Sequence, residues 1–206
     1  MASKWEYFPE EYLYRKNGRV FSEDSILRNL SLYTQEKTSS VQFLALRLRD
    51  GDINLQQWTN QMRSTIKRTH IINYIIARGG NRRMTQQDWG RLGGVIYNQY
   101  RYLDRFATDI SGGNLTLGQI QARSALYINA ARQSYERGRT QGARGISLPA
   151  YPGDGTSECF SNCRCRWQIE ETDTEFLCSW KLGEAEHCDT CVQRATLWSP
   201  LMIAKV

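Results

Sequence analysis

All six cysteines of this 206-residue chain lie between Cys159 and Cys191. No other feature constrains the fold as strongly, because thiols this dense must be paired, ligated or buried together. They run Cys159-x3-Cys163-x-Cys165, then Cys178, then Cys188-x2-Cys191, with His187 beside the last pair. Charge divides the chain near the same place. Residues 1–150 carry 22 Lys+Arg against 12 Asp+Glu, whereas residues 151–206 carry 5 against 9. Gly142, Gly145, Pro149, Pro152, Gly153 and Gly155 mark the seam with helix breakers. The chain therefore divides into an extended aromatic arm over 1–21, a helical body over 22–145 and a cysteine-rich zinc-binding module over 146–206.

A content of 40% hydrophobic and 11% aromatic residues is too apolar for a disordered chain. No apolar run approaches the roughly 18 residues that cross a bilayer, so no membrane association is expected. The N-terminus, Met1-Ala2-Ser3-Lys4-Trp5-Glu6-Tyr7, has no apolar signal core, and synthesis in a cytosol is expected.

The body has helical periodicity. After the aromatics Trp5, Tyr7, Phe8, Tyr12 and Tyr14, Ser22 can cap a helix through about Leu32, and a second run from Ser39 to Arg49 follows. Asn54 is a cap for a stripe of Leu55, Trp58, Met62, Ile66, Thr69, Ile72 and Ile76 that ends at Gly79-Gly80. Thr85 with Asp88 and Thr116 with Gln119 form capping-box pairs. They open one helix ending at Gly112-Gly113 and a last long one reaching Tyr135. Gly90, Gly93 and Gly94 are read as sites of close helix packing. The expected fold is mainly α, a bundle of about four to five helices with a small C-terminal β-rich, zinc-stapled module.

Zinc takes four soft or borderline ligands in a tetrahedron, commonly from two short turns. Cys188 and Cys191 have knuckle spacing, and Cys159 and Cys163 are the preferred partners, with Cys165 or His187 as substitutes. The 22 residues between Cys165 and Cys188 leave room for a hairpin carrying Trp167, Ile169 and Trp180, and Cys178 is assigned to its core. Six cysteines also permit disulfides or buried free thiols, although a reducing cytosol disfavours the former. One structural Zn2+ per chain is the expected cofactor. Catalysis is not expected. Glu186-His187-Cys188 lacks the His-x-Glu of a zinc deaminase, and two histidines are too few for a histidine-based nuclease. His70, in the middle of a body helix, is read as structural or surface. Arg132, Arg137, Arg139 and Arg144 invite a nucleic-acid reading, but basic residues also suit a helix C-terminus as a solvated run.

Leu148-Pro149-Ala150-Tyr151-Pro152-Gly153-Asp154-Gly155, followed by Cys159 and Asn162-Cys163-Arg164-Cys165-Arg166-Trp167, resembles the C-terminal signature of tailed-phage minor head (head-morphogenesis) proteins. Leu182-Gly183-Glu184-Ala185-Glu186-His187-Cys188-Asp189-Thr190-Cys191, with Trp198-Ser199-Pro200 behind it, fits the same pattern. The upstream segments Met84–Arg91, Tyr100–Leu103 and Leu126–Ala131 are similar to phage and prophage head-region proteins, so the resemblance spans about residues 50–200. It implies a structural virion protein of the head, made in the host cytoplasm and acting in head assembly or stabilisation. Its partners would be the major capsid or portal protein, or further copies of itself, with non-specific DNA contact. The competing reading is a zinc-containing nucleic-acid-binding protein, favoured by a pI near 9.1.

Overall fold

The computed structural model describes residues 5–8, 13–16, 19–184 and 186–205. The fold is mainly α, with a small antiparallel sheet near the C-terminus. Residues 1–21 do not remain an extended arm where they are described. β1 (Trp5–Phe8), β2 (Leu13–Lys16) and β3 (Arg19–Ser22) pair as an antiparallel meander, with Lys16 opposite Arg19. Asn17-Gly18 between them in sequence is the dipeptide that favours a two-residue hairpin connection. Tyr12 and the side chains of Trp5, Tyr7, Phe8 and Tyr14 lie outside the described residues.

α1 (Glu23–Arg49) merges the two helical runs expected on either side of residues 32–39. That stretch, Leu32 to Ser39, holds no glycine or proline to stop a helix already propagating from the Ser22 cap. α2 (Leu55–Arg78) and α3 (Gln86–Ser111) begin and end where their caps direct. The Asn54 and Gln57 side chains each accept the other residue's backbone N–H at 2.9 Å, and Gly79 closes α2 at φ 91°. A glycine suits that left-handed C-cap because it carries no Cβ. Thr85 and Asp88 form the corresponding box on α3.

The last long helix breaks at Ala130 into α4 (Leu117–Asn129) and α5 (Ala131–Arg137), followed by a π-helical turn over Gly138–Gly142. At the break the Gln133 N–H bonds the Ala130 carbonyl three residues back, and Asn129 Nδ2 donates to Asn162 Oδ1 at 3.1 Å. The bend serves two cores. Ile120, Tyr127 and Ile128 join Val41, Trp58, Met62, Ile66, Leu103 and Phe106, while Tyr135 joins Ile26, Leu30 and Ala77. Phe106 sits between two rings in the first core, edge-on to Trp58 at 5.5 Å and stacked on Tyr127 at 6.0 Å.

Gly138 permits the tight approach of the π turn to α2: a Cβ there would meet Ala77 Cβ and the Tyr74 carbonyl at 2.8 Å. Gly90, Gly93 and Gly94 do not pack helices together. A Cβ on any of them would meet nothing within 4 Å, because this face of α3 is open, with Tyr97 and Tyr102 projecting from it.

A separate core holds the C-terminal part. β4 (Arg166–Glu171), β5 (Glu175–Lys181) and β6 (Leu201–Ala204) form an antiparallel sheet in that order, and α6 (Asp189–Leu197) lies between β5 and β6 in sequence. Trp167 pairs with Trp180 across β4 and β5, edge-to-face at 5.2 Å, and stacks on Trp198 at 5.4 Å. Trp167 Nε1 donates to the Ala150 carbonyl at 2.9 Å, which joins the Pro-Gly lead-in to the sheet. None of the described helices is long and apolar enough to cross a membrane.

Candidate metal centre

Two short segments bring the clustered cysteines together. The first is the turn Phe160–Asn162 between Cys159 and Cys163, in which Phe160 takes a left-handed φ of 47°. A left-handed backbone is costly for a bulky aromatic and holds only where its surroundings impose it. The second is the start of α6, where Cys188 is the N-cap and Cys191 lies in the first turn, its N–H bonding the Cys188 carbonyl at 3.0 Å. A helix N-terminus favours negative charge, so thiolates are at home there. Glu158 ties the segments together by accepting from the Thr190 hydroxyl at 2.7 Å and its backbone N–H at 3.4 Å. The Thr190 hydroxyl foremost, then the Cys188 thiol, hold the Glu158 carboxyl down to about 2.

The Sγ atoms of Cys159, Cys163 and Cys191 all lie within 4.8 Å of one another and can hold a metal ion. Cys191 Sγ is 3.7 Å from Cys159 Sγ and 3.7 Å from Cys163 Sγ, and Cys188 Sγ is 3.6 Å from Cys159 Sγ. A tetrahedral ion with bonds of about 2.3 Å to sulfur sets its ligands about 3.8 Å apart, so these separations fit. They are far longer than the roughly 2 Å of a disulfide, and all six cysteines are free thiols.

Cys165 is buried against Cys163 and Cys191, so a fifth sulfur borders the group. The Gly183 N–H faces it, and a Cβ on Gly183 would meet the Arg164 carbonyl at 2.5 Å. Hydrogen bonding to Cys165, then burial, pushes the Cys163 thiol up; burial, then charge on Cys163, does the same to Cys191. Cys165, receiving the Cys163 hydrogen bond, is drawn down instead. Adjacent thiolates repel, and a bound cation removes that repulsion. Cys188, Cys165 and His187 are not in the mutually close group, although Cys188 Sγ approaches Cys159 Sγ. Cys178 is wholly buried in the sheet core, opposite Ile169 and Leu201.

The arginines that run from α5 through the π turn bond back onto the protein, and this corrects their reading as a simply solvated run. All four arginines are half-buried. Arg132 Nη2 donates to the Cys165 carbonyl at 3.0 Å, Arg139 Nη2 to the Trp167 carbonyl, and Arg144 Nη1 to the Arg139 carbonyl at 2.8 Å. Arg137 lies over the Tyr151 ring at 4.3 Å. Arg132 and Arg139 satisfy carbonyls of the cysteine module and Arg137 covers its Tyr151 ring, so body and module are clamped together. Spacing along one helix cannot reveal this, since the module carbonyls that Arg139 and Arg132 reach lie 28 and 33 residues away.

His70 is also structural. Its ring is fully buried, with Nδ1 2.7 Å from Ser134 Oγ, which pins α2 to α5. Burial lowers its pKa to about 4, only partly offset by the Tyr127 backbone. Asp88, 1% exposed, was visible in sequence only as a helix cap. It accepts from Tyr74 Oη at 2.9 Å and Arg78 Nε at 3.0 Å as well as from Thr85. Burial alone would raise this carboxyl, but the bonds from Thr85, Arg78 and Tyr74 outweigh it and hold it below its ordinary value. No family model, no curated protein and no solved structure matches this chain.

Proposed function

We propose that this chain is a structural protein of a tailed-phage head, stapled at its C-terminal end by one zinc ion and without catalytic activity. The observation that carries the reading is the convergence of Cys159, Cys163 and Cys191, from the two segments of the minor-head signature, within 4.8 Å of one another, with Cys188 Sγ 3.6 Å from Cys159 Sγ as the fourth ligand we assign. Zinc follows from the donor set, because four thiolates select it over harder cations. Four protein ligands leave no open position for water, which gives the ion a structural role. A module of about 60 residues cannot build a large core, and a metal staple supplies what the core lacks.

The major capsid or portal protein, or a second copy, is the proposed partner, with the virion head as destination and the host cytoplasm as the place of assembly. Co-expression with the major capsid and portal proteins of a tailed phage tests the assignment. Sedimenting particles that contain the chain support it; particles that form normally and never contain it contradict it. A zinc-containing nucleic-acid-binding protein is the second reading, favoured by the excess of basic residues before residue 150. Under the structural reading, any DNA binding has no sequence preference and disappears at moderate salt.

A further inference from the structure

A cleft of about 530 Å³ opens at the seam between α1, the start of β4 and the loop after β5. Leu27 and Leu182 form apolar walls, and Arg132, Arg164, Arg166 and Glu184 supply its charged lining. A hollow of about 120 Å³ shares Leu27, Arg132 and Arg164 and reaches toward Asn129. Among the described residues, the cleft lining thus carries three arginines and one glutamate.

The arginines differ in how they are held. Arg132 is fixed by its bond to the Cys165 carbonyl, while its Nε–H is buried with no acceptor among the described residues. Arg164 and Arg166 are exposed, and neither side chain makes a hydrogen bond or ion pair among the described residues. This sets them apart from the arginines of α5, which are engaged with the module. The wall behind them is firm, because Gly183 presses so closely on the Arg164 carbonyl that no side chain fits between.

Like charges gathered without acceptors repel, and a bound anion removes that cost. The planar guanidinium fork matches phosphate oxygens in pairs, and a net excess of two positive charges suits a phosphate dianion better than one carboxylate. We propose that this seam cleft binds phosphate, either as a small phosphate-bearing ligand or as the backbone of a nucleic acid. Among the described residues, Tyr135, buried in the hollow, is the one aromatic of the lining, so the recognition proposed is of phosphate and not of bases. The inference does not depend on the virion assignment.

The test uses the full, zinc-loaded chain with two probes: inorganic pyrophosphate by calorimetry and a labelled oligodeoxythymidine by anisotropy across a salt series. R164Q/R166Q is compared with R82Q/R83Q, which removes the same charge from exposed positions in the turn after α2. The cleft pair should lose about tenfold or more in affinity, with the salt slope for the single-stranded oligonucleotide falling by about 1.4, while the turn pair changes less than about twofold. Pyrophosphate that binds and displaces the oligonucleotide identifies a small-ligand site; oligonucleotide binding alone identifies a backbone site. Equal losses in both pairs, or no binding of either probe at low salt, overturn the proposal. Should the double variant lose zinc, Arg166→Gln alone, at an exposed position of β4, repeats the comparison.

Discussion

At the scale of single residues, the cysteines divide by location. Cys191→Ser and Cys188→Ser should each abolish stoichiometric zinc and unfold the module, since binding and folding are coupled. Cys178→Ala should keep the zinc and cost only about 1 kcal/mol for a small cavity in the sheet core. Zinc analysis and thermal melts of the three variants check this, and zinc lost only from the Cys178 variant would reverse the assignment. The knuckle was legible because a Cys-x2-Cys spacing is itself a geometric statement. What lay hidden was the close approach of Gly183 to Arg164 and Cys165, because it depends on the fold of the loop after β5.

His70 gives the molecule a pH dependence. The unfolded ring takes a proton near 6.5, whereas the buried ring resists until about 4. Between those values the unfolded chain binds more protons, so stability falls as pH drops through this window, by about 3 kcal/mol when complete. Urea melts of the protein and of His70→Asn from pH 7 to pH 4 isolate this part, because acid release of metal is common to both. An identical pH slope in the two proteins would contradict it.

At the scale of elements, caps were the most legible signals, because a cap is a local contact spanning three residues. Asn54→Ala should destabilise the body by about 1 kcal/mol through loss of a cap that serves a 24-residue helix. The break at Ala130 was illegible because it depends on what a helix packs against, and α4–α5 bends to feed two cores that periodicity cannot separate. The merging of α1 follows instead from the absence of any breaker over residues 32–39. The open face of α3 shows the same limit, since Gly90, Gly93 and Gly94 have small-residue spacing but no helix opposite. Gly183→Ala should cost about 2 kcal/mol by forcing a methyl group against the Arg164 carbonyl. Denaturant melts followed by tryptophan emission check it, and wild-type stability in that variant would show that the loop after β5 can move aside.

At the scale of the whole molecule, the seam carries the most information. Sequence placed a boundary near residue 145 from glycines, prolines and a change in charge, and one buried cluster does begin at Ile146. The arginine row that crosses the boundary makes body and module a clamped pair, which composition cannot show. Chelation should therefore disorder the sheet, shifting the emission of Trp167, Trp180 and Trp198 to the red. The far-UV signal of α1–α4 should remain, because their core contains no residue of the module.

The most direct test of the account is zinc per chain, by elemental analysis with a parallel thiol count, on protein purified without chelator or added metal. About one zinc per chain, with the ligating thiols unreactive until the metal is removed, is the predicted result. A folded, metal-free module whose six thiols are all reactive, or are joined as disulfides, would contradict the central claim.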